Sequence, residues 1–164
     1  MTGCSADAGA TTDNVNRFPA ADQKAVGQVA GRTLQGSHLD LAALKGHVVV
    51  VDFWSSTCAP CIAEQQSLNE VAKAERAKGV RFVGIDERDD ASQARAYLAQ
   101  HPASYPSLFD PDGMMTLQFP GAAPQTTPTT IVVTKQGKIA ARVNGSILFT
   151  QLRALVDDVL AGHV

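Results

Sequence analysis

The pattern of apolar and polar positions along the chain marks two buried strands. Residues 48–54 form an apolar run that only Asp52 interrupts, and residues 80–86 form a second run of the same kind. Such runs, rich in β-branched side chains, are typical of strands covered on both faces, as in a parallel sheet. We therefore predict that residues 48–54 are the central strand of a sheet and that residues 80–86 are another buried strand.

Apolar and small side chains recur with helical spacing in three other segments. In the first, the charged residues between the apolar positions, including Glu64 and Glu75, are assigned to a polar face, and Gly79 follows as a C-terminal cap. The second begins at Asp90, whose spacing to Gln93 matches a capping box. The three predicted helices are residues 60–78, 90–101 and 150–160.

Shorter segments predict the remaining strands. Residues 129–134 and 138–143 alternate apolar with polar side chains, and the intervening Gln136 and Gly137 favour a tight hairpin turn. Residues 107–109 form a short extended piece. Residues 25–41 alternate loosely and predict an N-terminal β-hairpin.

The first 25 residues contain almost no large apolar side chains. Burial cannot offset the entropy lost on ordering such a segment, so we predict a flexible tether over residues 1–25. The remaining residues, 26–164, are predicted to form one domain, because a chain of 164 residues is long enough to bury a sizeable core.

Composition narrows the possible partners. The 14 Lys and Arg residues are scattered among 16 Asp and Glu residues, so no basic stripe is present to bind nucleic acid. The longest apolar run is shorter than the roughly 20 residues that a membrane-spanning helix needs. A single CxxC pair and four scattered histidines do not supply the four ligands of a zinc site, so no metal is expected. We expect a monomer whose partners are proteins or small molecules.

Cys58 and Cys61 follow the predicted central strand and open the first predicted helix. The i, i+3 spacing places both sulfurs on one helix face, where they can close a disulfide and carry out thiol-disulfide exchange. A cysteine at a helix N-terminus can have a pKa of about 3.5 to 7.5, so Cys58 is expected to be the nucleophile and Cys61 the resolving thiol. Ala59 and Pro60, between them, are expected to tune the redox potential. The reactive disulfide needs no added cofactor.

The third cysteine, Cys4, lies in the predicted tether. Gly3 and Cys4 resemble the end of a bacterial lipoprotein signal, in which a small residue precedes a cysteine that becomes lipidated. The apolar stretch of such a signal is missing ahead of Cys4, so we interpret the sequence as beginning near the processing site. The prediction is an extracytoplasmic protein tethered to the bacterial cell membrane by a lipid on Cys4. The alternative is an unpaired tail cysteine without a role.

The order of elements, β-α-β-α followed by a β-hairpin and a helix, resembles the thioredoxin fold. Residues 54–61, WSSTCAPC, are similar to the W-x-x-x-C-x-x-C site of that superfamily. Residues 39–46, 105–113 and 127–130 look like the TlpA/ResA-like group of extracytoplasmic thiol-disulfide oxidoreductases, over about residues 25–162. The resemblance implies an α/β thioredoxin-like fold, with a central mixed β-sheet flanked by helices and an N-terminal β-hairpin extension.

The resemblance also implies roles for residues outside the CxxC pair. A buried carboxylate is costly, and thioredoxin has an aspartate at the position of Asp52 that serves the resolving cysteine as an acid-base group. The alternative for Asp52 is a strand residue satisfied by local hydrogen bonds. Thr127 and Pro128 are expected to form a cis peptide beside the dithiol that binds an extended substrate chain; a trans proline is the alternative. Trp54 is expected to pack at the base of the site and to contact substrate.

Two positions bear on partner choice. Relatives often have Trp immediately before the first cysteine, whereas this chain has Thr57, whose hydroxyl is expected to cap the helix or to bond near the Cys58 sulfur and so to tune the dithiol. Glu87 and Asp89 follow the second buried strand and are interpreted as a solvated acidic loop. The alternative is that Asp89 influences the dithiol, as a carboxylate near this place does in some relatives.

The activity predicted from the resemblance is protein thiol-disulfide exchange. Relatives outside the membrane mostly reduce partner proteins, for example apocytochrome c, and receive electrons from a membrane donor protein. We predict a low reduction potential and hence a reductase. Three alternatives stay open: a peroxiredoxin-like thiol peroxidase, a disulfide-forming oxidase, and a binding module that keeps a structural disulfide.

Overall fold

The computed structural model describes residues 14–164. Three short strands come first, strands and α-helices then alternate over residues 48–110, and a strand hairpin and a helix follow. The strands are β1 (Val15–Arg17), β2 (Ala30–Arg32), β3 (His38–Asp40), β4 (Val48–Trp54), β5 (Val80–Glu87), β6 (Ser107–Asp110), β7 (Thr129–Val133) and β8 (Ile139–Asn144); the helices are α1 (Ala59–Glu75), α2 (Ala91–Gln100) and α3 (Phe149–Ala161).

Six strands form one mixed sheet in the order β1-β8-β7-β4-β5-β6. Strand β4 is parallel to β5 and antiparallel to β7, while β5 is parallel to β6. All seven residues of β4 are buried, which confirms the predicted central strand. The carboxyl ends of three parallel strands therefore meet at one edge of the sheet, and α1 begins there.

The core fills both faces of the sheet. Successive β4 side chains point to opposite faces, so Val50 packs with Leu68 and Leu152 of the flanking helices. On the other face Phe53 makes an edge-on contact with Phe119, with ring centroids 5.2 Å apart. The predicted mixed sheet flanked by helices is confirmed.

Strands β2 and β3 form the predicted N-terminal β-hairpin as a separate two-stranded sheet. The hairpin lies along β6: Thr33 forms a bridge with Leu108, and the Leu34 amide donates to the Ser107 carbonyl over 2.8 Å. Leu34 reaches from there into the apolar cluster that contains both cysteines.

The predicted tether is wrong from residue 14 onward. Strand β1 pairs antiparallel with β8, and Arg17 forms an ion pair with Asp158 of α3 over 2.8 Å. Besides this ion pair, the attachment combines backbone hydrogen bonds to a sheet edge, which need no large apolar side chains, with the packing of Val15 against the core. Residues 1–13, which include Cys4, lie outside the described part of the chain.

The first helix keeps its predicted end but not its predicted polar face. It passes into a short 3₁₀ turn, and Gly79 closes it in the left-handed conformation at φ 85°. Glu64 and Glu75, however, are buried. Glu75 lies 3.2 Å from Arg153 and 2.7 Å from Lys78, so cations from two helical segments compensate its buried charge. Within residues 14–164 no helix has the length and apolarity that crossing a bilayer requires.

Candidate active site

Cys58 and Cys61 form a disulfide at the carboxyl edge of the sheet, with Cα atoms 5.3 Å apart. The loop of residues 55–57 connects β4 to α1, so the buried central strand fixes where the pair lies. Cys58 is 8% exposed and Cys61 is 4% exposed. Cys58 thus presents slightly more surface to a partner, in line with the order predicted for the two thiols.

Cys58 is the N-cap residue of α1. Its sulfur accepts a hydrogen bond from the Cys61 amide over 3.2 Å. The free N–H groups at a helix N-terminus stabilise negative charge, so in the reduced protein the same amide stabilises a thiolate on Cys58. Ala59 and Pro60 lie in the first turn, where a proline removes no needed donor.

Thr57 does not cap the helix, because Cys58 occupies that position. The Thr57 hydroxyl instead lies 3.5 Å from the hydroxyl of Ser55, on the exposed side of the loop. The predicted bond between this hydroxyl and the helix start is therefore wrong, and the threonine leaves the outer face of the disulfide without an aromatic cover.

Trp54 packs beneath the disulfide, as predicted. Its indole N–H donates to the Ser107 hydroxyl over 3.1 Å, and its ring lies 5.2 Å from the ring of Tyr97. Both cysteines belong to the same apolar cluster. Only 4% of Trp54 is exposed, which leaves almost no surface for the substrate contact that was also expected.

Asp52 is buried on β4, 4% exposed, behind the cysteines. The Tyr105 hydroxyl donates to one carboxylate oxygen over 3.2 Å, and the other oxygen has no donor among the described residues. Burial raises the pKa of Asp52 from 3.8 to about 7, although the Tyr105 bond opposes the rise. Asp52 and Cys61 line the same cavity of about 10 Å³, close to the volume that one water molecule needs.

Glu64 is a second buried carboxyl of the site, 3% exposed, and the sequence reasoning missed it. One of its oxygens accepts the Ile147 amide over 2.9 Å. Burial, and then the charge of Asp52, raise its pKa to about 9, against the lowering effect of the Ile147 bond. Its signal in the sequence is the position three residues after Cys61, which places it on the helix face of that cysteine.

The peptide between Thr127 and Pro128 is cis, as predicted. The Pro128 carbonyl accepts the Gly145 amide over 2.9 Å, and the next residue, Ser146, donates its hydroxyl to the Pro60 carbonyl over 3.4 Å. Residues 145 and 146 therefore link the proline loop to the first turn of α1. Pro128 is buried, whereas Thr127 is partly exposed.

Comparisons with known proteins agree with this geometry. The Redoxin family model matches residues 15–154. The thiol-disulfide oxidoreductase ResA of Bacillus thuringiensis is 27% identical over 126 residues, which span 77% of this chain and 71% of that protein. The soluble secreted antigen MPT53 of Mycobacterium tuberculosis is 35% identical over 106 residues, spanning 65% of this chain and 59% of that protein.

Two solved structures superpose on most of the chain. A DsbF homologue from Corynebacterium diphtheriae has a TM-score of 0.82 and 27% identity, covering 91% of this chain and 95% of its own. A secreted thiol-disulfide isomerase from Corynebacterium glutamicum has a TM-score of 0.81 and 25% identity, covering 99% and 96%. With a thioredoxin-like fold and a disulfide at the start of α1, the chain belongs to the Redoxin family, as a TlpA/ResA-like thiol-disulfide oxidoreductase.

Proposed function

We propose that this oxidoreductase works outside the cytoplasmic membrane and reduces disulfides in partner proteins, oxidised apocytochrome c among them. A membrane electron-donor protein returns the Cys58–Cys61 disulfide to the dithiol. The observation that carries the exchange chemistry is the N-cap position of Cys58, where the Cys61 amide lies 3.2 Å from its sulfur; the reducing direction is inferred from the resemblance to the ResA-like group. That contact stabilises the attacking thiolate, and two similar proteins that are secreted, MPT53 and the isomerase from Corynebacterium glutamicum, support the compartment.

The reaction conserves electrons and protons. The Cys58 thiolate attacks one sulfur of the substrate disulfide, and the other substrate sulfur leaves as a thiolate. Cys61 loses its proton and attacks the Cys58 sulfur in the mixed disulfide, which releases the second substrate thiolate. Two electrons have then passed to the substrate, and Cys58 and Cys61 are joined.

Asp52 is the proposed proton acceptor for Cys61. With a pKa of about 7 it is partly ionised at neutral pH, and its unpartnered oxygen and Cys61 line one small cavity. Glu64, with a pKa of about 9, keeps its proton at that pH and is a poorer acceptor. The pH dependence of mixed-disulfide resolution tests this role. An Asp52→Asn variant with the wild-type pH profile would remove Asp52 from the mechanism.

The proposed substrate surface surrounds the proline loop. Thr127 offers backbone groups for pairing with an extended chain, in the manner of strand addition, while Pro128 holds the loop against the site. Ile62, 40% exposed, and Leu148, 64% exposed, offer apolar contacts near the first turn of α1. The surface suits an unfolded or flexible partner chain that carries its cysteine in an extended segment.

The proposed anchor is a lipid on Cys4, which lies outside the described residues. Expression of the chain behind a bacterial lipoprotein signal, followed by membrane extraction, tests it. A Cys4→Ala variant is expected in the soluble fraction. Equal membrane retention of both forms would contradict lipid attachment at this residue.

Trapping of the mixed disulfide tests the main proposal. Cys61→Ser, which cannot resolve the intermediate, is expected to accumulate a covalent adduct with a disulfide-containing partner protein, and Cys58→Ser is expected to form none. The reduction potential of the Cys58–Cys61 pair, measured against glutathione, is expected to be low, as in a reductase. A strongly oxidising potential would instead assign a disulfide-forming oxidase, and rapid peroxide consumption a thiol peroxidase. A binding module with a structural disulfide would show no turnover with either substrate.

A further inference from the structure

The loop that precedes Cys58 is held by a carboxylate from the other side of the site. Asp89, in the segment after β5, accepts the backbone amide of Ser56 over 2.6 Å and the Ser56 hydroxyl over 3.0 Å. Ser56 lies two residues before Cys58, whose own amide donates to the Ser55 carbonyl over 3.1 Å. Bonds between a charged acceptor and two donors of one residue fix that residue firmly. Asp89 therefore helps determine where the nucleophile lies.

Behind Asp89 lies Asp86, the next-to-last residue of β5 and the register partner of Trp54. Asp86 is fully buried, and neither of its carboxyl oxygens receives a hydrogen bond from an N–H or O–H group of the described residues. A buried carboxylate without donors is unstable. The neutral acid avoids this cost, because it can donate its own proton to the carboxylate of Asp89.

The charged groups that face Asp86 favour the neutral form. Burial has the largest effect on the pKa of Asp86, followed by the charge and hydrogen bond of Asp89 and then by the charges of Asp110 on β6 and Glu87 on β5. Together these effects raise the pKa of Asp86 to about 8. Arg88 turns away to pair with Glu87 over 3.3 Å. Burial is the largest single effect on the pKa of Asp89 and acts to raise it, but the hydrogen bonds from Ser56, the Asp90 amide and Asp86 together hold that pKa below its ordinary value.

We infer that Asp86 and Asp89 share one proton, and that this acid-carboxylate pair positions Ser56 and, through it, Cys58. Both aspartates are positioning residues. The backbone turns between the two aspartates. Arg88 adopts the left-handed conformation at φ 52°, and the following residue, Asp89, faces the loop that contains Ser56. The inference rests on the proposed role of Cys58 as the nucleophile.

The Asp86–Asp89 pair makes the position of the loop that precedes Cys58 depend on pH. When Asp86 loses its proton, its carboxylate and that of Asp89 carry like charges beside Asp110 and Glu87, and like charges in a buried site repel. The repulsion pushes Asp89 away from Asp86 and weakens its hold on Ser56. We expect the reactivity of Cys58 toward a small disulfide to rise with thiolate formation and then to fall as Asp86 ionises.

Carbon-13 NMR of the side-chain carboxyls tests the shared proton directly, in the wild-type protein and without any activity assay. Asp86 is expected to keep its proton through neutral pH, while Asp89 stays ionised. Titration of Asp86 near the ordinary aspartate value of about 3.9 would overturn the inference. Hydrogen exchange of the Ser56 amide, followed separately by nitrogen-15 NMR, is expected to become about tenfold faster in Asp89→Asn, since one charge-assisted bond is lost.

The pH profile of Cys58 reactivity separates positioning from a merely structural effect. Asp86→Asn still offers an N–H donor to Asp89 but cannot titrate, so it is expected to react like the wild type at pH 7 and to lack the alkaline fall. Asp89→Asn is expected to react severalfold more slowly at pH 7. Asp90→Asn is the matched control: it removes the same charge one residue later, and Asp90 caps α2 without contacting Ser56.

Different results would refute the shared proton of Asp86 and Asp89 and the role of Cys58 as the nucleophile. An alkaline fall that persists unchanged in Asp86→Asn would refute the pair while leaving Cys58 as the nucleophile. A small disulfide that reacts as well with Cys58→Ser as with the wild type would refute the nucleophile itself. The NMR titration stays decisive for the shared proton in either case.

Discussion

Replacing Asp52 by asparagine is expected to make the oxidised protein more stable at alkaline pH. Burial raises the pKa of Asp52 from 3.8 to about 7, so the folded protein binds this proton more tightly than the unfolded chain does. The stabilising effect of the proton is fully present below pH 3.8 and is lost as the pH rises through about 7. At 1.36 kcal/mol per pKa unit, the loss amounts to about 4 kcal/mol.

Urea unfolding of the oxidised proteins between pH 4 and pH 8 measures this loss. Other buried carboxyls also titrate in the range, so the informative quantity is the free energy of unfolding of Asp52→Asn minus that of the wild type at each pH. This difference is expected to grow by about 4 kcal/mol between about pH 4 and pH 8, with a slope of up to about 1.4 kcal/mol per pH unit. Asp112→Asn, which changes an exposed aspartate, is the control for the loss of one carboxyl group.

A difference that stays constant with pH would refute the reasoning, because it would mean that Asp52 has the same proton affinity in the folded and unfolded chains. A difference that shrinks with rising pH would mean that the folded protein favours the carboxylate. In that case the unpartnered oxygen of Asp52 must find a donor that the geometry does not show, and its role as a proton acceptor near neutral pH would fail as well.

Three further substitutions probe the packing around the disulfide. Tyr105→Phe removes the hydroxyl that opposes the rise in the pKa of Asp52, so this pKa is expected to increase further, as a carboxyl NMR titration will show. Gly84→Ala places a methyl group against the hydroxyl that accepts the indole N–H of Trp54; we expect a loss of about 1–3 kcal/mol and altered fluorescence of this single tryptophan, and an unchanged spectrum would contradict the contact. Leu68→Ala, at a core position that is 1% exposed, is expected to cost about 2–5 kcal/mol in urea unfolding.

The sequence predicts the elements whose burial is uniform. Residues 48–54 read as a central strand because a strand covered on both faces needs apolar residues at every position, and the structure confirms it. The CxxC pair lies where the order of elements places it, and the cis proline lies where the resemblance to the thioredoxin superfamily places it. Strand β1 escapes prediction because it has three residues and pairs with β8 at the sheet edge through its backbone, and its one apolar residue, Val15, makes no pattern to detect.

The carboxyls of the site show a second limit of prediction from the sequence. Glu64 belongs to the polar face by residue type, yet its partner is the amide of Ile147, 83 residues away in the chain. Asp89 was interpreted as part of a solvated loop, and its bonds to Ser56 join segments 33 residues apart. Local spacing carries no information about such contacts, because the fold creates them only when distant segments meet. Asp52 was identifiable because a charge within an apolar strand is conspicuous by itself.

The buried carboxyls change the net charge of the folded molecule. Counting every acid as ionised, 16 Asp and Glu against 14 Lys and Arg give a net charge of -2 and an isoelectric point near 6.0. Glu64 and Asp86, with pKa values of about 9 and about 8, hold their protons at pH 7, which brings the folded molecule close to neutrality. The native protein should therefore focus at a higher pH than the same chain in urea, and it should be least soluble near pH 7.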